Sequence, residues 1–140
     1  MKIAIASDHA GFELKEGLKQ VLSSHEIVDF GTQSSASMDY PDTGKPASEA
    51  VSNGLCERGI LICGSGIGMS ITANRYPAIR AALCFNTDFA KLSRLHNDSN
   101  VIVLPGRFIA LPYAIEILDT WLNTPFEGGR HQNRLNKINQ

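Results

Sequence analysis

Gly59-Ile60-Leu61-Ile62-Cys63-Gly64-Ser65-Gly66-Ile67-Gly68 reads as a strand that runs straight into a glycine loop. Residues 59–63 are apolar without alternation, which marks a strand covered on both faces at the centre of a parallel sheet. The loop then turns into a short helix through about Asn74. The same alternation extends outward on both sides. Toward the N-terminus, Lys2 to Ala6 reads as a strand, and Leu14, Leu18, Val21 and Leu22 recur after it at helical spacing. Glu26 to Phe30 is a further strand. A polar loop over 31–43 follows, then a helix with Ala47, Ala50, Val51 and Leu55 on one face. Toward the C-terminus, Arg80 to Cys84 and Asn100 to Leu104 are strands. Phe89, Leu92 and Leu95 mark the helix between them, with Asn86 or Thr87 as its N-cap. Leu111, Ile115, Leu118 and Leu122 line a last long helix, and the tail over 126–134 belongs to none of these units. The alternation predicts an α/β fold: a three-layer, Rossmann-like sandwich of five parallel strands with helices on both faces and a C-terminal arm.

The 140 residues fit one domain, 1–140, and 43% hydrophobic against 19% charged residues argues for a packed core. Thirteen basic and fourteen acidic residues leave a net charge of -1, so no overall field points to nucleic acid or an anionic membrane. Three cysteines make a disulfide framework a poor expectation and a reducing compartment a good one. The N-terminus lacks a signal-peptide core, and no apolar run approaches the ~20 residues needed to cross a bilayer. A cytoplasmic protein is expected.

Ligands of parallel α/β sheets sit at the carboxyl ends of the strands. Two polar clusters fall there: Ser7-Asp8-His9-Ala10-Gly11 and Cys63-Gly64-Ser65-Gly66-Ile67-Gly68. Asp8 offers a carboxylate and His9 an imidazole, although Asp8 could equally cap the first helix. Glycines at alternate positions let the backbone approach a ligand, and the helix start that follows presents free N–H groups. Such a nest binds phosphate or stabilises a developing oxyanion. The spacing departs from the dinucleotide fingerprint, so no nucleotide cofactor is expected. Cys56 and Cys84 read as packing residues, whereas a helix N-terminus facing Cys63 favours its thiolate as a nucleophile or as a base. His96 lies before the fifth strand, near the amino end of the sheet. A five-residue strand spans ~16 Å, so His96 and Cys63 of one chain should not meet. If both act, the site is shared between two subunits of a homodimer. In the tail, Arg130 and Arg134 stand at i, i+4 and would converge on a phosphate if helical, with Arg107 as a third cation.

Taken together, the segments resemble the ribose/galactose sugar-phosphate isomerase family in its ribose-5-phosphate isomerase B branch. The resemblance spans the chain from Ser7-Asp8-His9-Ala10-Gly11 to Gly128-Gly129-Arg130-His131-Gln132-Asn133-Arg134. Asp39-Tyr40-Pro41-Asp42, Cys63 to Ile71, Ala73-Asn74 and His96-Asn97-Asp98 lie between them. It implies a cofactor-free, metal-free aldose–ketose isomerisation of a sugar phosphate through a cis-enediolate. In that scheme Cys63 is the base, His96 assists opening of the furanose ring, and Asp8 handles hydroxyl protons. Ser65 and the nest of Gly64, Gly66, Ile67 and Gly68, with Asn97, stabilise the enediolate. His9, Arg107, Arg130 and Arg134 hold the phosphate, and Tyr40 shapes the pocket. Part of the family places a glutamate base on the helix after the loop; Met69 stands there instead. Ribose 5-phosphate is the expected substrate. A hexose 6-phosphate such as that of allose or galactose is the alternative, and a non-catalytic phosphate- or nucleotide-binding module is a third reading. Dimer or tetramer is left open.

Overall fold

The computed structural model describes residues 1–139. Five strands, β1 (Lys2–Ser7), β2 (Glu26–Asp29), β3 (Arg58–Cys63), β4 (Ala81–Leu83) and β5 (Val101–Pro105), form one sheet in the order β2-β1-β3-β5-β4. All pairings are parallel, with Ile5 opposite Ile60 and Cys63 opposite Pro105. The helices are α1 (Phe12–Val21), α2 (Pro41–Ser52), α3 (Ile67–Ala73), α4 (Thr87–Asn97), α5 (Leu111–Asn123) and α6 (Arg130–Lys137). A 3-10 turn at His9–Gly11 precedes α1.

Side chains alternate across the sheet, so each strand feeds two cores. Ile3, Ile5, Ile60, Ile62, Ile102 and Leu104 pack against α1, α4 and α5, around the fully buried Trp121. Ala4, Ala6, Leu61, Cys63 and Val103 pack against α2 and α3. The expected three layers are therefore present. Gly11 is required where the 3-10 turn crosses β3, because a Cβ there would lie 2.6 Å from Ile62 Cγ2 and 2.8 Å from the Ile62 carbonyl.

Several local expectations shift. α2 starts at Pro41, inside the stretch read as loop, and ends before Leu55, which is exposed. Val21 faces outward on α1. On α5 the buried stripe is Ala114, Ile117, Leu118 and Trp121, leaving Leu111 half-exposed. On α4 the reversal is larger: Phe89 and Leu92 face outward, while Ala90, Ser93 and Arg94 are buried. The polar side turns inward because its partners are there. Arg94 donates to the carbonyls of Ser99 (2.6 Å) and Thr124 (3.1 Å) and to Asp98 Oδ1 (2.8 Å). Ser99 Oγ meets Ser93 Oγ and accepts from Trp121 Nε1, both at 2.8 Å. A buried indole N–H left without that acceptor would cost about 1–3 kcal/mol. Asn86, one of the two expected caps, accepts from Phe89 N and starts the helix.

At the far edge, β2 is tied to α1 by charge. Lys15 is fully buried and donates to Asp29 Oδ2 (2.7 Å) and Glu16 Oε1 (3.0 Å); Lys19 donates to Asp29 Oδ2 (2.7 Å) and Glu16 Oε2 (3.0 Å). A buried ammonium costs several kcal/mol unless paired in this way. Burial alone would raise the Asp29 carboxyl, but the hydrogen bonds from Lys15 and Lys19 outweigh it and hold it below its ordinary 3.8. A depressed carboxylate contributes stability above its unfolded value and loses it as pH falls through the folded one. The stability of wild type minus that of Lys15→Met, measured by urea unfolding, should therefore be largest near neutral pH and shrink below about pH 3.8. A difference that grew on acidification would contradict this pairing.

Candidate active site

β1 and β3 deliver the first set of site residues to the carboxyl edge of the sheet. Asp8 N donates to the Ile62 carbonyl (3.2 Å), and Asp8 Oδ1 accepts from Ala10 N (3.0 Å) and Gly11 N (3.1 Å). Asp8 therefore caps the 3-10 turn that leads into α1, not α1 itself, whose N-cap is Gly11, and Oδ2 stays outside the cap. His9 Nδ1 accepts from Met38 N at 3.2 Å. That bond places the proton of the neutral ring on Nε2, which makes it a donor suited to an anion.

Cys63 closes β3 and is 4% exposed. Beyond it, Gly106 N donates to the Cys63 carbonyl (2.8 Å) and Arg107 N to the Gly64 carbonyl (3.0 Å). The end of β5 is thereby stitched to the glycine loop, and the Arg107 guanidinium lies over Gly64, 3.0 Å from where a Cβ would stand. Gly68 lies under the Tyr40 ring, whose nearest atom is 2.5 Å from such a Cβ. Gly66 has φ +80° and starts α3. The glycines thus make room for Arg107 and Tyr40, two residues expected in the site. Ser65 is exposed and its Oγ accepts from Ile67 N (3.2 Å). Met69, at the position where part of the family carries a glutamate base, is fully buried against Gly44 and has no acid–base group to offer.

The remaining expected residues lie at the opposite edge. α4 runs back from the carboxyl edge and ends at His96-Asn97, just before the segment whose Asn100 carbonyl accepts from Gly59 N at the start of β3. Cys63 ends that same strand. The C-terminal arm folds as α6 against α4: Glu127 N donates to the Leu95 carbonyl (3.0 Å), and Asn139 Nδ2 to the Pro77 carbonyl (2.6 Å). Arg130 and Arg134 stand exposed, one helical turn apart, at this edge. The structure therefore groups Asp8, His9, Tyr40, Cys63, the loop and Arg107 at one edge. His96, Asn97, Arg130 and Arg134 form a second group at the other.

Sequence reasoning did not assign His131, which lies beneath the second group. Its ring is 6% exposed and stacks on His96 with centroids 4.3 Å apart and planes at 18°. Burial, His96 and the guanidiniums of Arg134 and Arg130 together hold its pKa below the usual 6.5, against the opposing pull of Glu127. The available signal was the i, i+4 pair His131 and Leu135 inside an otherwise polar segment. Among the described residues, His96, Glu127 and His131 alone bring three metal-ligating atoms together, within 4.8 Å. With the rings stacked, their in-plane lone pairs run side by side and do not converge, and two arginines flank them. The arrangement is that of a stack, not of a chelate.

Comparison with known proteins shows the family and the fold. The family model described as Ribose/Galactose Isomerase matches residues 3–138. Ribose-5-phosphate isomerase B of Escherichia coli is 45% identical over 139 residues, covering 98% of this chain and 93% of that protein. The solved structure of ribose-5-phosphate isomerase B from Clostridium thermocellum superposes with a TM-score of 0.98 at 50% identity, covering 99% of this chain and 95% of that one. The enzyme from Mycoplasma genitalium with bound ribulose-5-phosphate matches with a TM-score of 0.91 at 39% identity, covering 99% and 93%.

The loop gives a direct test. A Cβ on Gly66 would overlap Leu83 and force a left-handed φ on an L-residue, so Gly66→Ala must displace the turn after Cys63. Misplaced oxyanion donors typically cost ~2.7–4 kcal/mol in the transition state. Turnover of a sugar phosphate should fall at least about a hundredfold in a variant that remains folded by circular dichroism. Unimpaired turnover would remove the loop from the chemistry.

Proposed function

This chain belongs to the ribose/galactose isomerase family, and from that premise we infer that it interconverts ribose 5-phosphate and ribulose 5-phosphate as an aldose–ketose isomerase. The observation that carries the reading is the carboxyl edge itself. A buried cysteine, an open glycine loop and a guanidinium meet where β3 and β5 end. The proton on the carbon next to a carbonyl is weakly acidic. Its removal near neutral pH calls for a positioned base and for donors at the oxygen that gains charge.

The steps follow from those needs. His9 and Arg107, with Arg130 and Arg134 of the partner subunit, hold the phosphate away from the reacting carbons and so fix their geometry. His96 of the partner subunit gives a proton to the ring oxygen as the C1–O4 bond breaks, while Asp8 takes the proton of the anomeric hydroxyl. The Cys63 thiolate removes the proton from C2 to form the cis-enediolate and returns it to C1. A second proton passes from O2 to O1. Backbone N–H groups of Gly64 to Gly68 and the Ser65 hydroxyl, with Asn97 of the partner subunit, face the enediolate oxygens. A methionine at 69, where part of the family carries a glutamate, supports Cys63 in the role of base.

Two edges of one parallel sheet cannot close on one ligand, so the site is complete only in a homodimer. The surface supports this. Ile67 and Ile71 of α3 and Phe85, Phe89 and Leu92 beside β4 are all 43–56% exposed, an apolar face larger than scattered surface residues explain. It begins at the glycine loop and ends one turn before His96, so a two-fold partner seated on it brings each loop to the other chain's His96. Three unpaired cysteines suit a reducing compartment such as the cytoplasm. No helix among the described residues is long and apolar enough to cross a membrane.

Purified protein with a chelator present should convert ribose 5-phosphate to ribulose 5-phosphate faster than it turns over allose 6-phosphate; preference for the hexose would overturn the substrate assignment. Cys63→Ala should lose at least about a hundredfold in kcat while still binding inorganic phosphate. Arg134→Ala should raise KM about tenfold or more with little change in kcat. For the shared site, Cys63→Ala and His96→Ala subunits are mixed after unfolding. Half the dimers should be mixed, each with one intact site, so activity should return to roughly a quarter of wild type. No recovery after verified exchange would refute the shared site.

A further inference from the structure

His131 lies between Arg130 and Arg134 in sequence, yet it points the other way. It is the one buried residue of α6, and its ring lies flat on His96 at 4.3 Å. The contact joins two groups with different tasks in the proposed reaction: the cations that hold the phosphate and the imidazole that moves protons at the sugar ring. Little else anchors the arm close to His96. Glu127 N donates to the Leu95 carbonyl, and Glu127 Oε1 stands 3.9 Å from His131 Nε2.

We propose that His131 is a positioning residue for ring opening: its buried ring, stacked on His96, fixes the imidazole that protonates the furanose oxygen and ties it to the helix bearing Arg130 and Arg134. The inference rests on the isomerase reading above. An imidazole near the end of α4 would otherwise sweep several rotamers, and general acid–base catalysis is sensitive to displacements of a fraction of an ångström to one ångström. A flat neighbour with no competing cationic charge is the suitable support. The charged and titratable groups around His131 are His96 on α4, Glu127 in the approach to α6, and Arg130 and Arg134 on α6. The two guanidiniums and burial all favour the uncharged ring. His96 can then take up a proton without a second imidazolium against its face. Neither ring nitrogen of His131 is asked to exchange a proton with the substrate.

The reaction itself separates positioning of His96 from general damage to the site. Ribulose 5-phosphate is acyclic, because its C5 oxygen carries the phosphate and its C4 hydroxyl is too close to the carbonyl to form a stable ring. Exchange of its C1 proton with deuterated solvent therefore uses Cys63 and the enediolate donors but no ring opening. His131→Ala should lower kcat for ribose 5-phosphate about tenfold or more, with the C1 exchange rate of saturating ribulose 5-phosphate close to wild type; any loosening of α6 shows as a rise in KM shared by both sugars. His131→Phe, which keeps a flat ring and removes both nitrogens, should recover most of the lost turnover. The proposal is overturned if exchange falls in step with turnover, if KM alone moves, if turnover is unchanged, or if His131→Phe is as slow as His131→Ala. Wild-type protein that neither exchanges nor isomerises would instead defeat the isomerase reading on which this one rests.

Discussion

The parallel pairing of β1, β3 and β5 is the constraint on which the rest of the molecule depends. Because these strands run the same way, Asp8, Cys63 and Gly106-Arg107 arrive together at one edge of the sheet. For the same reason every helix must travel back to the other edge before the next strand can begin. His96 and Asn97 end such a helix and are carried away from Cys63 by the full length of β3. No rotamer change recovers ~16 Å. The division of the site into two groups is a consequence of topology, and the proposed two-fold dimer is the simplest arrangement that reunites them.

Within the first group, packing holds the side chains in place before any ligand arrives. The Arg107 backbone is fixed to the Gly64 carbonyl, its guanidinium covers Gly64, and the Tyr40 ring covers Gly68. The His9 ring is oriented by the Met38 N–H. A residue larger than glycine in the loop would displace the cation or the aromatic ring. Preorganisation of this kind lowers the ordering cost that ligand binding must otherwise meet. The second group is built differently. It rests on a polar network under α4, where Arg94, Asp98, Ser99 and Trp121 satisfy one another, and on the stacked imidazoles that dock α6.

These two modes of construction explain what could be read in advance. The strand over 59–63, the helices flanking it and the glycine turn follow from short-range patterning, and the expected five-stranded parallel sandwich is the one observed. Asp8, His9, Cys63 and Arg107 were legible as neighbours because a residue at the carboxyl end of a strand has its place fixed by connectivity. Leu92 and Phe89 misled because helical periodicity reports an apolar stripe without reporting what the stripe meets. Arg94 was not legible as buried, since its partners Ser99 and Thr124 carry no signal in the helix itself. The tail was assigned to none of the strand–helix units for a similar reason: only one residue of α6 is buried, and that residue is a histidine.

The sequence by itself therefore determined the strand–helix alternation, the glycine loop behind Cys63 and the separation of Cys63 from His96. Each of these depends on steric preferences and chain lengths that act over a few residues. The tertiary structure alone decided which face of α4 is buried, where α6 docks, and that His131 lies flat on His96. These are contacts between residues distant along the chain, or between surfaces whose polar groups are stable when buried only if their partners are already in place.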